Sequence, residues 1–347
     1  MEFDIENFTV LRDYLTQHGH VRMGEPVTFT KLAGGVSNRT VRVAWPDGHA
    51  WVLKQALPKL RVNVDWFSSP ARIRVEAKAL RWLNASAPPG TTPPFIFEDS
   101  EQDSQNFLLG MEAVPEEHEN WKSILLSGQI VPSHFEQFGA LLGTIHRKSS
   151  DASSQARTMF ADTTYFENLR LDPYYLYTAQ NLPAAAAFLT LLAQETLHRK
   201  DSLVHGDFSP KNTLVYRNKL ILLDYEVVHF GDPAFDVGFT LTHFLSKAHH
   251  LPEARAQLAT AAKIFWQVYC GEIKRLPFTP TLEARAVRHT LACLLARVSG
   301  KSPLEYLTPE EMSRQREVVL LLIANPPAGV SELIDKFINK IEVYAKN

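Results

Sequence analysis

The stretch that decides the fold runs from residue 203 to residue 236 and reads LVHGDFSPKNTLV (203–215), LILLDYE (220–226) and GDPAFD (231–236). Three side chains with oxygen donors, Asp207, Asn212 and Asp224, lie in or beside turns that short apolar runs bound. Carboxylate and amide oxygens are the ligands that hard cations such as Mg²⁺ prefer. The stretch therefore predicts a catalytic centre with a magnesium site.

Asp207 is the candidate general base of this centre. Phosphoryl transfer needs a carboxylate to orient the attacking hydroxyl and accept its proton, and metal ions to neutralise the phosphates. The runs 213–216 and 220–223 predict a hairpin, which would bring Asn212 and Asp224 to the same edge. A single Asp or Asn in a turn usually caps or bends the chain, so the hypothesis depends on the three residues together.

Structural roles are expected for three neighbouring residues. His205 is interpreted as an orienting or packing residue, and Asp232 and Asp236 as residues that fix turns or cap the helix beginning near Phe235.

The composition indicates an ordinary globular chain. It has 347 residues, of which 45% are hydrophobic and 21% charged, with a formal net charge of −2, so we expect no nucleic-acid partner and no anionic membrane partner. Cys270 and Cys293 are the only cysteines, which predicts no disulfide framework. The N-terminus is acidic where a signal peptide is basic, and no apolar run approaches the ~20 residues of a membrane span. We expect a cytoplasmic chain; the sequence makes no prediction of its oligomeric state.

Residues 27–57 contain three strand patterns separated by turns, which predict an antiparallel meander. The first turn contains Gly34, Gly35 and Ser37, so its backbone can approach a ligand closely and present N–H groups to phosphate oxygens. A glycine-containing hairpin turn without such a role is the alternative.

Lys54 lies on the third strand of this meander, where an ammonium group is costly to bury unless a negative charge pairs with it. Glu76 is the candidate partner, in a helical pattern whose apolar face includes Ile73 and Leu80. Two unrelated surface charges are the alternative. The glycine turn, strand lysine and helix glutamate occur in the order of a kinase-type phosphate clamp, which favours the ion pair.

Residues 84–106 are rich in Pro, Ser, Thr and acidic groups and predict a loop with one short strand. The apolar run after this loop predicts an edge strand stopped by Pro115. We expect a hinge here, with backbone groups of Glu112, Ala113 and Val114 binding an adenine edge. An ordinary core strand is the alternative.

The pattern becomes helical after the hinge, where apolar spacing predicts core helices at 135–148, 184–199, 258–269 and 283–298. The chain is therefore predicted to have an α+β fold with two lobes. Residues 1–113 form a small antiparallel-sheet N-lobe, and residues 114–347 form a larger, mainly helical C-lobe.

The catalytic stretch resembles that of the aminoglycoside phosphotransferase and choline kinase superfamily. The loop of that superfamily is His-Gly-Asp-x-x-x-x-Asn, followed by a strand ending in Asp. Here it reads His205-Gly206-Asp207-Phe208-Ser209-Pro210-Lys211-Asn212, with Asp224 after the next strand. The resemblance runs from about residue 27 to at least residue 245.

The resemblance implies a bilobal protein-kinase-like fold with ATP bound between the lobes. It also implies that Lys54 contacts the phosphates, Asp207 is the base, and Asn212 and Asp224 are magnesium ligands. Residues 54–61 and the segment leading to Glu76 look like the corresponding segments of methylthioribose kinases. That match is partial, because the catalytic loop of those enzymes resembles His-Gly-Asp-Leu-His-Thr-Gly-Ser.

Two features indicate the class of acceptor. Only eleven residues separate Asp224 from Asp236, too few for the long activation segment with which protein kinases receive a peptide, so we expect a small molecule carrying a hydroxyl group. Residues 247–347 hold more Lys and Arg than Asp and Glu, a balance that would repel a polycationic aminoglycoside. The leading hypothesis is a small-molecule kinase acting on a sugar-like metabolite, with an antibiotic kinase or a non-catalytic nucleotide-binding scaffold as alternatives.

Overall fold

The computed structural model describes residues 3–33, 35–61, 65–99, 106–151 and 153–346. The chain forms two compact units: Met1–Ala85 with Thr92–Glu116, and Ser86–Thr91 with Glu117–Asn347. The predicted lobes, residues 1–113 and 114–347, stay a prediction; in the two compact units Ser86–Thr91 groups with the second. One cause is that the Leu222 amide donates a hydrogen bond to the Thr91 carbonyl at 2.8 Å.

The first unit is built on a five-stranded antiparallel sheet. In chain order its strands are β1 (Thr28–Lys31), β2 (Asn38–Ala44), β3 (Ala50–Ala56), β4 (Phe95–Asp99) and β5 (Leu108–Glu112), arranged β1-β2-β3-β5-β4. Its helices are α1 (Phe8–Gln17) and α2 (Arg72–Ser86). The inward residues Val41, Val43 and Leu53 share one core with Leu11 and Leu15 of α1, which confirms the predicted meander.

Strand β5 is a correction to the predicted edge strand. It lies inside the sheet, paired with β3 on one side and β4 on the other, and Leu108 and Leu109 are fully buried. Pro115 lies beyond the end of β5 and so removes no ladder hydrogen bond. The outer position is taken by β4, whose Phe97 ring covers Gly110 so closely that an added Cβ would stand 2.5 Å from it.

The second unit is mainly helical. Its helices are α3 (Trp121–Leu126), α4 (Pro132–Asp151), α5 (Ser153–Met159), α6 (Thr164–Phe166), α7 (Tyr177–Asn181), α8 (Pro183–His198), α9 (Ala234–His250), α10 (Arg255–Ile273), α11 (Thr279–Ser299), α12 (Pro309–Ala324) and α13 (Val330–Lys346). A π-helical segment (Glu167–Leu176) joins α6 to α7, and 3-10 turns occupy Pro210–Asn212 and Pro252–Ala254. The four predicted core helices correspond to α4, α8, α10 and α11. No helix of the described residues is long and apolar enough to cross a membrane.

Helix α9 forms the centre of this unit, since its residues 234–249 are all buried. It packs on α11 at Gly238, where an added Cβ would stand 2.5 Å from the Cβ atom of His289. A helix that is buried on all sides offers a rigid support for the residues that contact it.

Short strands hold the stretch that opened the sequence analysis. They are β6 (Glu119–Asn120), β7 (Ser202–Val204), β8 (Thr213–Tyr216), β9 (Lys219–Leu222) and β10 (His229–Gly231). β7 pairs with β10, and β8 pairs with β9 and β6. The predicted hairpin is confirmed as β8–β9, whose turn residues Arg217 and Asn218 have φ angles of 48° and 62°, as a type I′ turn requires.

Candidate active site

Lys54 and Glu76 form the predicted ion pair, which we call the ion-pair site. The Nζ atom of Lys54 lies 2.6 Å from Oε1 of Glu76, and the two side chains are 13% and 0% exposed. β3 carries the lysine and α2 the glutamate, so the alternative of two unrelated surface charges is wrong. The fully buried carboxylate of Glu76 fixes the position of the Lys54 ammonium group.

The turn between β1 and β2 is held to the unit through its carbonyl groups. The Ser37 carbonyl accepts hydrogen bonds from the Leu57 amide at 3.0 Å and from the guanidinium of Arg72. Arg72 is fully buried and also donates to the Leu57 carbonyl. Gly34 lies outside the described residues, and an added Cβ at Gly35 would make only ordinary contacts. Phosphate binding by this turn stays a prediction.

The three predicted hinge residues use their amides differently. The Glu112 amide donates to the Pro94 carbonyl and the Ala113 amide to the Ala50 carbonyl, each at 2.9 Å. Among the described residues, no hydrogen bond of the Val114 amide is found. An adenine edge could therefore be met by the Val114 amide, whereas the other two amides already serve the first unit.

Asp207 lies on a turn whose backbone is held by a buried carboxylate. Asp236 of α9 accepts hydrogen bonds from the His205 amide at 2.7 Å and the Gly206 amide at 2.8 Å, which confirms its turn-fixing role. Gly206 has a φ of 76°, and an added Cβ would stand 2.8 Å from Cγ2 of Val227. Only glycine suits this position.

Two histidines complete the support of the turn. The Nε2 atom of His146 lies 3.3 Å from the Oδ2 atom of Asp236. Burial acts to raise the pKa of Asp236, but the hydrogen bonds from His146 and the backbone outweigh burial and hold the pKa below its ordinary value. Burial lowers the pKa of His205, and its neutral ring accepts the Asp207 amide at Nδ1, 3.2 Å away. The orienting role predicted for His205 is confirmed.

Arg170, in the π-helical segment, is a site residue that the sequence reasoning missed. Its NH2 atom lies 2.7 Å from Oδ2 of Asp207, and its Nε donates to the Gly206 carbonyl at 2.7 Å. Burial acts to lower the pKa of Arg170, but the negative charge of Asp207 outweighs burial and raises the pKa above its ordinary value. The local sequence carries no signal for this role, because Leu169 and Leu171 lie on other sides of the helical segment and do not determine whether Arg170 is buried.

Asn212 and Asp224 are brought together by the β8–β9 hairpin. The Asn212 carbonyl accepts the Leu223 amide at 2.8 Å, and the Asn212 side-chain nitrogen donates to the Asp207 carbonyl at 3.2 Å. The side-chain oxygen of Asn212 is therefore the atom that can bind a cation. Asp224 has a φ of 70°, a left-handed conformation in which Asp is enriched among non-glycine residues. We call Asp207, Asn212 and Asp224, with their supports Arg170 and Asp236, the carboxylate site.

The donor set of the carboxylate site fits Mg²⁺. Within the described part of the chain, no group of three or more His, Cys, Asp or Glu could hold a metal ion, so an all-protein metal centre is not found there. Asn212 and Asp224 supply one neutral and one charged oxygen. Mg²⁺ is commonly bound by one or two carboxylates together with substrate phosphates and water.

Comparisons with known proteins identify relatives of this chain. The profile of the Phosphotransferase enzyme family matches residues 28–271. The chain is 25% identical over 300 residues to the methylthioribose kinase of Pectobacterium atrosepticum, covering 76% of this chain and 74% of that protein. It is 26% identical over 267 residues to the methylthioribose kinase of Citrobacter koseri, covering 67% and 65%.

Two solved structures share the fold. The amicoumacin kinase hAmiN, in complex with AMP-PNP, Ca²⁺ and Ami, has a TM-score of 0.58 at 14% identity and covers 93% of this chain and 96% of its own. The macrolide 2′-phosphotransferase MphH from Brachybacterium faecium has a TM-score of 0.52 at 16% identity and covers 92% and 99%. The predicted kinase-like α+β fold is thereby confirmed. Since the family profile spans most of the sequence, including the ion-pair site and the carboxylate site, the chain belongs to the Phosphotransferase enzyme family.

Proposed function

We propose that this protein transfers the terminal phosphoryl group of ATP to a hydroxyl group of a small molecule. One observation carries the proposal. Asn212 donates a hydrogen bond from its side chain to the Asp207 carbonyl and accepts one at its backbone carbonyl from the Leu223 amide. Hydrogen bonds therefore tie the candidate base to Asn212 and to the residue directly before Asp224. Phosphoryl transfer requires these parts together.

Asp207 is proposed to orient the acceptor hydroxyl and to take its proton as the new oxygen–phosphorus bond forms. The bond to the terminal phosphorus of ATP breaks in the same transfer, and ADP leaves. Arg170 would act as a positioning residue, because it holds one carboxylate oxygen of Asp207 and leaves the other for the hydroxyl group.

Asn212 and Asp224 are proposed to hold Mg²⁺. When bound, the ion would neutralise charge on the phosphates. The chain would supply two oxygen ligands from one edge of the hairpin. The left-handed backbone conformation of Asp224 would orient its carboxylate.

Lys54, fixed by Glu76, is proposed to contact the phosphates of ATP. The glycine turn with Gly34, Gly35 and Ser37 would present backbone amides to the same phosphates. Glu112, Ala113 and Val114 are proposed to face the adenine, with the Val114 amide as the donor.

The acceptor is proposed to be a sugar-like metabolite similar to methylthioribose. The support is the similarity to methylthioribose kinases over 76% of this chain. We place the chain in the cytoplasm, where ATP is available.

The experiment that tests the function is an acceptor panel with ATP and Mg²⁺. Sugars and methylthioribose are compared with aminoglycosides, macrolides and amino alcohols, and ADP formation is measured with and without each compound. We expect acceptor-dependent ADP formation with sugars that is lost in Asp207→Ala. If only the antibiotics were phosphorylated, the protein would be an antibiotic kinase and not a kinase of a metabolite. If no compound led to ATP consumption, the kinase function would be contradicted.

A further inference from the structure

A group of cationic side chains lies in the second unit with few carboxylates among them. Lys247 of α9 is fully buried and Arg297 of α11 is 7% exposed. Within the described residues neither forms an ion pair with a carboxylate, whereas the neighbouring Lys122 of α3 pairs with Glu305. We call Lys122, Lys247, Arg297 and Tyr306 the cationic cluster. Buried charges are normally paired, so the excess positive charge of this cluster suits an anionic partner.

The cluster also holds hydrogen-bond donors that lack acceptors. Among the described residues, the Nζ atom of Lys247 has one hydrogen-bond acceptor, the His243 carbonyl at 3.4 Å, and lies 5.3 Å from the centre of the Tyr306 ring. Arg297 donates through NH1 to the Tyr174 hydroxyl at 3.0 Å and to the carbonyl and hydroxyl oxygens of Ser302. Its Nε atom and the Tyr306 hydroxyl are buried without a partner in the part of the chain that the structure describes. Because unsatisfied buried donors are costly, a ligand rich in acceptor oxygens would stabilise this region.

The electrostatic environment of Lys247 favours an added negative charge. Burial lowers the pKa of Lys247 to about 7, and the positive charges of Lys122 and Arg297 act in the same direction. The carboxylate of Glu305 acts in the opposite direction but does not outweigh them. An anion bound beside Lys247 would keep its ammonium group protonated at neutral pH.

The cluster lies beside the catalytic loop. Thr240 of α9 donates its hydroxyl to the Phe208 carbonyl at 2.9 Å, and Lys247 follows seven residues later, roughly 10 Å along the helix axis. Burial lowers the pKa of His243, and the charge of Lys211 in the catalytic loop lowers it further. Asn120, which caps α3, also donates its side-chain amide to the Lys211 carbonyl at 2.8 Å, so the catalytic loop contacts the helix that carries Lys122.

We propose that the cationic cluster binds a carboxylate or phosphate group of the same small molecule whose hydroxyl group is phosphorylated. The inference rests on the proposed function, because Asp207 is taken to mark the reacting hydroxyl group. Among the sugar-like acceptors of the proposed function, it selects those that also carry an anionic group.

Matched pairs of acceptors test this inference. Ribose is compared with ribose 5-phosphate, and glucose with gluconate, in wild type and in Lys247→Met. We expect wild type to use the anionic member of a pair with at least ~10-fold higher kcat/KM, mainly through a lower KM, and the preference to disappear in Lys247→Met. Equal use of charged and neutral members by wild type, or an unchanged preference in the variant, would overturn the inference.

A binding measurement separates this inference from the proposed function. Inorganic phosphate is added to the nucleotide-free protein and the Tm is measured for wild type, Lys247→Met and the matched control Lys336→Met, whose lysine is 45% exposed on α13. Methionine in place of a buried, unpaired ammonium is well tolerated, so all three proteins are expected to fold. Phosphate should raise the Tm of wild type and the control, and much less that of Lys247→Met.

The same rise in all three proteins would mean that phosphate binds elsewhere, and the inference would fail. Failure of wild type to phosphorylate any acceptor would instead end the proposed function, whatever the phosphate measurement gives. The two failures are therefore distinguishable.

Discussion

The ion-pair site and the carboxylate site differ in what holds their charged groups. Lys54 lies on a regular strand and meets Glu76 of a regular helix, side chain to side chain. Asp207 lies on an irregular turn that has a left-handed glycine and whose backbone is held by Asp236. A point charge can be placed by regular elements, whereas a proton acceptor that must be oriented needs its backbone fixed as well.

The supports of the carboxylate site are consequently spread along the chain. Arg170 comes from the π-helical segment, His146 from α4 and Asp236 from α9. Each contacts the turn or another support, and none of the three is itself a candidate ligand for the nucleotide. We therefore expect changes in supporting residues to matter more at the carboxylate site than at the ion-pair site.

The largest effect is expected for Asp207→Asn. Replacing the base should lower kcat by ~10³-fold and leave ATP binding unchanged, because the ion-pair site is untouched. Steady-state kinetics and calorimetric ATP binding measure both. The matched control is Asp201→Asn, which removes another carboxylate beside an arginine, 3.3 Å from Arg285; an equal loss of kcat there would show that the effect is structural.

Lys54→Met should lower kcat/KM for ATP by ~10²-fold, since the ammonium group would no longer stabilise charge on the phosphates. The matched control is Lys78→Met, on the exposed side of α2. This variant should have the kinetics of wild type. Initial rates at varied ATP concentration check the prediction. If Lys54→Met retained wild-type kinetics, the ion-pair site would be a purely structural feature.

Asp236→Asn should lower the free energy of unfolding by ~3 kcal/mol, because it removes a buried charge that accepts two backbone amides and faces His146. It should also lower kcat by disturbing the turn before Asp207. Urea denaturation and kinetics measure the two effects, and Asp335→Asn, with a side chain 56% exposed, is the control. A stable variant with normal kcat would mean that the turn does not depend on Asp236.

The smallest effect is expected from pH. Burial lowers the pKa of His229 to about 4, below the value of about 6.5 in the unfolded chain. The unfolded state therefore binds more protons between these values, and stability is lost as the pH falls from about 6.5 towards 4. Between pH 7 and pH 5 this histidine alone should reduce the free energy of unfolding by about 2 kcal/mol.

Urea denaturation at several pH values checks this prediction. In His229→Gln the slope of the free energy of unfolding against pH should be smaller over the same range. An identical slope would show that other groups, such as His249, whose pKa burial also lowers to about 4, dominate the acid sensitivity.

The parts of the site that could be predicted are those that lie close together in sequence or on regular elements. Lys54 and Glu76 follow from strand and helix patterns in a fixed order. Asp207, Asn212 and Asp224 follow from one loop and one hairpin. In each case local geometry decides the placement.

The missed parts depend on contacts between distant segments. Arg170 reaches Asp207 from 37 positions upstream, and the charge of Arg297 acts on Lys247 because α9 packs on α11. Strand β5 is interior because β4 pairs with its outer side. The residue pattern of a single strand does not show which strands will pair with it. Gly34, predicted to bind phosphate, lies outside the described residues.

The pairing of β10 with β7 has a consequence for control of the enzyme. β10 follows Asp224 after a short connection and joins directly the strand that leads into Asp207. Protein kinases place a long segment at this point and switch it on by phosphorylation. Here the equivalent residues already belong to a small sheet and to a buried helix, so we expect catalytic flux to follow the supply of acceptor and nucleotide rather than a covalent switch.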